Sequence, residues 1–353
     1  MPDPYSGAVR LSELTTLRLG GPADRYLEAS SEEDVVAAVR AADAAAEPLL
    51  VLSGGSNLVV ADAGFPGVAL RVATRGVARE KADETVTLEV AAGEPWDPLV
   101  AMCVADGLAG VECLAGIPGS MGATPIQNVG AYGQEVAETI VGVRVLDRTS
   151  GVIEELAPDA CGFSYRSSAF KRDPGRWVVL AVRFALHASP LSSPIRYAEL
   201  ALALGVQIGD RASLPKVREA VLALRRRKGM VLDDADPDTR SAGSFFTNPI
   251  LGADEFAALR ARAGAEAEPP AWPEGDSRVK TSAAWLIERA GFHRGDGDPE
   301  GIAISTKHTL ALTNRGHGTT TQLLTLAHEI AGGVHDAFGV DLTPEPVLVG
   351  HDW

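Results

Sequence analysis

Gly116-Ile-Pro-Gly-Ser-Met-Gly-Ala-Thr-Pro-Ile-Gln-Asn-Val-Gly-Ala-Tyr-Gly133 is the stretch on which the fold reading turns. Its glycines and two prolines break it too often for a long helix, and it is too Gly-rich for an ordinary strand. Glycine permits positive φ and lets a ligand press on bare backbone, so such a run suits N–H donors arrayed around an anion. Upstream lies a second loop, Ser53-Gly54-Gly55-Ser56-Asn57, after the apolar run Pro48-Leu-Leu-Val-Leu52, which reads as a buried strand. The strand and loop over 49–57 lack Gly-x-Gly-x-x-Gly and the Lys-Ser/Thr of a phosphate-binding loop. Alone, that loop reads as a turn. Two such loops together suit a pyrophosphate gripped from both sides.

The 353 residues imply two or three domains, and 22% charged with 46% hydrophobic residues argues against long disorder. A net charge of −15 disfavours an extended nucleic-acid surface while leaving room for a local basic site. Cys103, Cys113 and Cys161 form no Cys-x-x-Cys pair and read as buried or indifferent thiols in a reducing compartment. Met1-Pro-Asp-Pro-Tyr-Ser-Gly7 has neither a basic n-region nor an apolar h-region, so no secretion signal is expected. No stretch reaches the ~18 apolar residues that span a bilayer. A cytoplasmic protein without a membrane partner is expected.

Ser30 to Glu33 has capping-box spacing, and a helix to about Ala46 follows, leading into a strand over 49–52. Thr85–Val90 alternates as a half-buried strand, a helix is expected near 98–105, and 141–146 and 177–186 are further strands. Pro190, Ser192, Ser193 and Pro194 interrupt 187–215, which reads as a domain boundary. Beyond it, 217–227, 282–289 and 320–338 show helical periodicity, and 264–277 reads as a surface loop. The expected organisation is α+β. A first domain covers 1–190, split near 60, then a connector at 191–214, a second domain at 215–340 and a C-terminal segment at 341–353.

Leu52-Ser-Gly-Gly-Ser-Asn-Leu58 together with Gly116–Gly133 resembles the flavin-binding domain of the UDP-N-acetylenolpyruvoylglucosamine reductases. That family belongs to the FAD-binding superfamily typified by vanillyl-alcohol oxidase. Further segments match in order: Thr16-Leu-Arg-Leu-Gly-Gly-Pro-Ala23, Tyr165-Arg-Ser-Ser-Ala-Phe170, Ala242-Gly-Ser-Phe-Phe-Thr-Asn-Pro249, Ala284-Trp-Leu-Ile-Glu288 and Pro344-Glu345. The resemblance runs from about residue 15 onward. It implies a vanillyl-alcohol-oxidase-type FAD domain followed by a smaller α+β substrate domain. The implied activity is NADPH-dependent reduction of an enolpyruvyl ether on a UDP-sugar, by hydride transfer through FAD, in peptidoglycan synthesis. A monomer working on small molecules is expected.

Hydride addition to the β-carbon leaves negative charge at the α-carbon, spread into the carboxylate, so the site needs cationic or donor groups and a proton source. Through the resemblance, Arg166 becomes the carboxylate clamp, Ser244 the proton donor and Glu345 the group that stabilises the intermediate or orients a water. Without it, Arg166 reads as a surface cation, Ser244 as a turn residue and Glu345 as a solvated acid. Tyr165 is read as packing or orientation. FAD is assigned to Ser53, Gly54, Gly55, Ser56, Asn57 and Leu58 of the first loop. From the second it takes Ile117, Pro118, Gly119, Ser120, Gly122, Ala123, Gln127, Asn128 and Gly130. The family's Arg-x-x-Lys pattern falls on Arg225 and Lys228; Arg225 is given to the cofactor and Lys228 to the substrate phosphates. Tyr197, in Ile195-Arg-Tyr-Ala-Glu-Leu200, resembles the tyrosine on the mobile loop of the family's longer form, while Asn248 and Lys280 are further UDP-sugar contacts.

Two departures stand out. Ala123 occupies a position where the family often has glycine, which requires negative φ there. The segment 229–240, with Asp233, Asp234, Asp236 and Asp238, is longer and more acidic than the pattern, either as a mobile excursion or at the expense of Lys228. His328-Glu329 with His335 lacks His-x-x-x-His spacing, so no metal is expected. Ser56 lies where covalently flavinylated relatives carry histidine, so FAD is expected without a covalent bond. Two alternatives remain open at this point: another FAD-dependent sugar or alcohol oxidoreductase of the superfamily, and a flavin-binding sensor without turnover.

Overall fold

The computed structural model describes residues 9–264, 267–275 and 277–353. The chain forms two compact units that do not follow its linear order. One contains Ala23–Gly55 and Phe65–Val231; the other contains Arg10–Pro22, Ser56–Gly64 and Leu232–Trp353.

The first unit holds two sheets. Ala23–Ala29 and Leu49–Leu52 run parallel to Phe65–Val72, which lies between them. The helix Glu32–Ala44 carries the chain from Ala23–Ala29 to Leu49–Leu52, on opposite sides of the central strand, so that both can run parallel to it. Its N-cap is Ser31, whose hydroxyl accepts from the Asp34 amide at 3.1 Å, one residue later than the Ser30–Glu33 spacing implies. Leu49–Leu52 is an edge strand, half-buried except at Leu52, rather than the buried strand its composition implies. The larger sheet is antiparallel, in the order Val152–Leu156, Ile140–Asp147, Trp177–Ala188, Thr85–Ala91, Val77–Ala82, with Leu108–Ala109 also paired to Trp177–Ala188. Val86, Leu88 and Val90 alternate inward along Thr85–Ala91, giving one buried face. Trp96 is buried in this core, and its indole N–H donates to the Leu114 carbonyl at 3.0 Å.

The expected boundary at 187–215 lies within this unit and carries the short helix Ala198–Leu204. The helix Leu214–Arg227 sends Val217, Val221 and Leu224 into the same core as Leu88 and Trp96. Prolines and serines there shape a loop; the apolar stripe that follows decides which core the helix joins.

The second unit is built around the helix Thr320–Phe338, with the helices Ala253–Ala263 and Ala283–Arg289 and the hairpin Ile302–Ile304/Leu312–Asn314. Leu17, Leu19 and Val59 share its core with Phe245, Ile330 and Val334, which is why two early segments belong to it. The Asp62 carboxylate accepts from the amides of Thr320 and Thr321 at 2.8 and 2.9 Å, at the positive end of the long helix. Part of the expected surface loop at 264–277 is a strand, Ala271–Glu274, paired with Arg278–Thr281; residues 265, 266 and 276 lie outside the described residues.

The acidic segment at 229–240 is also pinned. Asp238 is buried, bonded to the Thr306 amide at 2.9 Å and paired with Arg315 at 2.9 Å. Asp236 pairs with Lys307 in the same unit. These contacts, absent from any local pattern, hold the segment as an anchored turn.

Candidate functional site

In the first unit the two Gly-rich loops meet backbone to backbone. A Cβ on Gly54 would stand 2.6 Å from the Gly119 Cα, a contact no side chain survives without the loops moving apart. The Ser53 hydroxyl lies 2.7 Å from the Ser120 hydroxyl and 2.6 Å from the Val72 carbonyl, tying the loops to the parallel sheet. Gly55 and Gly119 have φ of +57° and +114°, a region that favours glycine. Among the described residues the N–H groups of Gly54, Gly55 and Gly119 donate no intramolecular hydrogen bond. Unspent amides on bare backbone are what an anionic dinucleotide needs.

Ala123 has φ −83°, so the methyl group is accommodated. Gly122 faces Ala92, whose Cβ would lie 2.7 Å from an added Cβ, so here glycine serves packing. Gln127 is buried, and Ile117 and Pro118 are half-buried in the same segment. Asn128 is committed internally: its side-chain amide donates to Glu135 at 2.8 Å and to the Ser164 carbonyl at 2.9 Å. Its αL backbone, with φ +41°, ends the short helix Thr124–Gln127.

Arg166 also has positive φ, +51°, and its guanidinium stacks over Tyr165 while donating to the Gly130 carbonyl at 2.8 Å. Arg225 donates to the Met230 carbonyl at 2.8 Å. Its Nε is shut off from solvent with no partner among the described residues, although part of the side chain stays open. It would lie 3.4 Å from a Cβ placed on Gly116, directly under the loop. Burial lowers the Arg225 pKa to about 10. It stays cationic at neutral pH, and the orphaned Nε together with the unspent glycine amides fits a dinucleotide phosphate.

Lys228 is already paired, with Nζ 2.6 Å from Glu199 and 5.8 Å from the Tyr132 ring centroid. Tyr197 precedes the helix Ala198–Leu204 and packs edge-on against Tyr132, with centroids 5.4 Å apart. Burial pushes the Tyr132 phenol up to about 12, so it is a neutral donor at physiological pH. Tyr132 and Glu199 were not singled out by the motifs, although one lies inside Gly116–Gly133 and the other two residues after Tyr197.

In the second unit, Ser244 and Glu345 are separated by a hundred residues yet brought together by backbone pairing. The Glu345 amide donates to the Phe245 carbonyl at 2.8 Å, and Phe246 bridges Pro344. Val347–Val349 runs parallel to Leu58–Val60, and the Asn57 side chain donates to the Glu345 carbonyl at 3.4 Å. The tail of the first loop, Ser56–Leu58, thus lies in the unit that carries Ser244 and Glu345. Asn248 is not open to ligand through its carbonyl, which accepts from the Ala283 amide at 3.0 Å and caps a helix. Lys280 pairs with Glu274 at 3.3 Å. His328 stacks on Trp353 and His335 bonds Asp341. The three cysteines are buried and unpaired.

Residues 23–157 match the family model described as an FAD binding domain, and residues 236–349 that of the UDP-N-acetylenolpyruvoylglucosamine reductase C-terminal domain. The chain is 61% identical over 345 residues to the UDP-N-acetylenolpyruvoylglucosamine reductase of Streptomyces coelicolor, covering 96% of this chain and 89% of that protein. To that of Salinispora arenicola it is 59% identical over 342 residues, with 96% and 94% covered. A crystal structure of the Thermus caldophilus UDP-N-acetylenolpyruvylglucosamine reductase shares the fold, with TM-score 0.65, 24% identity and 98% of each chain covered. Matched by both family models and identical at 61% over 96% of its length to a protein of that name, this chain belongs to the UDP-N-acetylenolpyruvoylglucosamine reductase family.

Proposed function

We propose that this protein reduces the enolpyruvyl group of UDP-N-acetylglucosamine enolpyruvate to UDP-N-acetylmuramate with NADPH, in peptidoglycan synthesis. The observation that carries the reading is 61% identity over 96% of the chain to a protein so named, in a molecule with paired cofactor loops. FAD, when bound, carries hydride from NADPH to the β-carbon of the substrate's double bond.

The chain's own residues do the rest. Amides of Gly54, Gly55 and Gly119, with Arg225, hold the cofactor's phosphates without a covalent bond. Arg166 clamps the substrate carboxylate, and its charge matters most as negative charge develops there. Ser244 donates a proton from its hydroxyl to the α-carbon, and Glu345 stabilises the charge or orients a water. Lys228 and Tyr197 take the diphosphate, the latter from a mobile loop, with Asn248 and Lys280 further along the UDP-sugar. Since the Asn248 carbonyl caps a helix, its part falls to the amide nitrogen. A cytoplasmic monomer completes the reading. Among the described residues no helix is long and apolar enough to cross a membrane.

Anaerobic stopped-flow spectroscopy tests this. NADPH should bleach the flavin absorbance, and the enolpyruvyl UDP-sugar should then restore it without oxygen. A flavin that NADPH bleaches but the sugar leaves reduced would sink the proposal and return the superfamily alternative.

A further inference from the structure

We propose that Glu199 stands in for the substrate's diphosphate, occupying Lys228 until the ligand displaces it. The inference deepens the reading above and rests on Lys228 as a phosphate contact.

Two contacts meet on Tyr132, and a third ties them together. Lys228, at the end of the helix Leu214–Arg227, places Nζ over its ring, Tyr197 packs against its edge, and Glu199 bonds Lys228 at 2.6 Å. Tyr197 and Glu199 flank the start of one short helix, so both the aromatic and the ionic contact fasten the same turn to Tyr132 and Lys228. The pair is open to solvent, with side-chain exposures of 33% for Lys228 and 38% for Glu199. A dissolved anion can therefore reach it. An ammonium group is a compact point charge with three rotatable donors, and it exchanges a carboxylate for a phosphate oxygen without a change of geometry. Arg225 and Arg227 act electrostatically on Tyr132 beside Lys228, so a diphosphate arriving there meets cationic surroundings in which Glu199 is the charge it must replace. When it does, the Tyr197 turn loses its ionic tie to Lys228 and keeps the aromatic one and the burial of Leu200 and Ala201 in the core.

An exposed ion pair adds little to folding, so removing Glu199 leaves the fold intact while lifting the competition. The probe is UDP, titrated calorimetrically into the FAD-loaded protein as wild type, Glu199→Gln, Lys228→Ala and the double variant. Glu199→Gln should bind UDP about two- to five-fold more tightly, with the gain shrinking as salt rises. Lys228→Ala should bind it more weakly, and adding Glu199→Gln to that variant should change nothing. Unchanged or weaker UDP binding by Glu199→Gln overturns the inference while leaving Lys228 as a phosphate contact. A gain that persists without Lys228 also overturns it, because Glu199 would then act by general repulsion. Equal UDP affinity in wild type and Lys228→Ala removes the phosphate role of Lys228 itself, and the inference falls with it.

Discussion

The loop pair of the first unit and the Ser244–Glu345 pair of the second are built on opposite plans. At Gly54 the backbone is bare because a side chain would force the loops apart, Gly119 takes a positive φ, and the groups assigned to the cofactor are peptide N–H donors. At Ser244 and Glu345 the groups proposed for the chemistry are side chains, and backbone pairing of Phe245 and Phe246 with Glu345 and Pro344 joins their segments across a hundred residues. A backbone-built site is written in composition. A side-chain site held by long-range pairing is written only in the fold. Substitutions should therefore separate the two: damage to the first should appear in cofactor affinity, damage to the second in proton transfer.

The sharpest test of that separation is Ser244→Ala. Loss of a general acid costs about 10²–10⁴-fold, and it should fall on flavin reoxidation by the UDP-sugar alone. Reduction of the flavin by NADPH and the affinity for FAD should stay at wild-type values in the same stopped-flow traces. Equal slowing of both stages would make Ser244 a structural residue.

Next in size is Asp238→Ala, which addresses what holds the segment preceding Ser244. It leaves the largely covered Arg315 guanidinium without its buried carboxylate partner, at a cost of about 3 kcal/mol in urea unfolding. Burial alone would raise the Asp238 pKa, but the Thr306 hydroxyl and amide, Ser305 and Arg315 outweigh it and hold the carboxyl below its usual value. Its stabilisation is therefore complete above about pH 4 and is lost as pH falls through the lower folded value. Wild-type stability should drop over that acid range, and the variant should drop less. Parallel acid curves would remove Asp238 as an anchor.

Gly54→Ala should cost about 1–3 kcal/mol in the contact with Gly119, read as FAD affinity lowered by about five- to a hundred-fold in flavin-fluorescence titrations. With saturating FAD, proton transfer at Ser244 should recover its rate. An unchanged FAD affinity would mean that the loops need not touch. Smallest is Tyr197→Phe, which keeps the edge contact with Tyr132 and loses one hydroxyl, weakening UDP-sugar binding by about 1 kcal/mol. Unaltered affinity would take Tyr197 off the diphosphate.

Much of the secondary structure was legible in the chain. Thr85–Ala91 alternates in burial as its sequence alternates in polarity, and Thr320–Phe338 has the limits its periodicity implies. Locally consistent segments failed where two cores competed for them. The Pro- and Ser-rich run at 187–215 resembles a linker, yet Val217, Val221 and Leu224 bury in the first core. Likewise, nothing in Leu17, Leu19 or Val59 announces that they pack with Phe245. Lys228 could be singled out as a phosphate cation, whereas its bond to Glu199 depends on two helices that the fold places side by side.

What the chain determined by itself was the bare-backbone geometry of the two Gly-rich loops, because positive φ and missing Cβ atoms are properties of single residues that glycine confers wherever it occurs. The tertiary structure alone decided which charge faces Lys228, which core takes each segment and how Glu345 reaches Phe245. Those outcomes depend on strand pairing and apolar burial between residues far apart in sequence, which no short stretch of residues encodes.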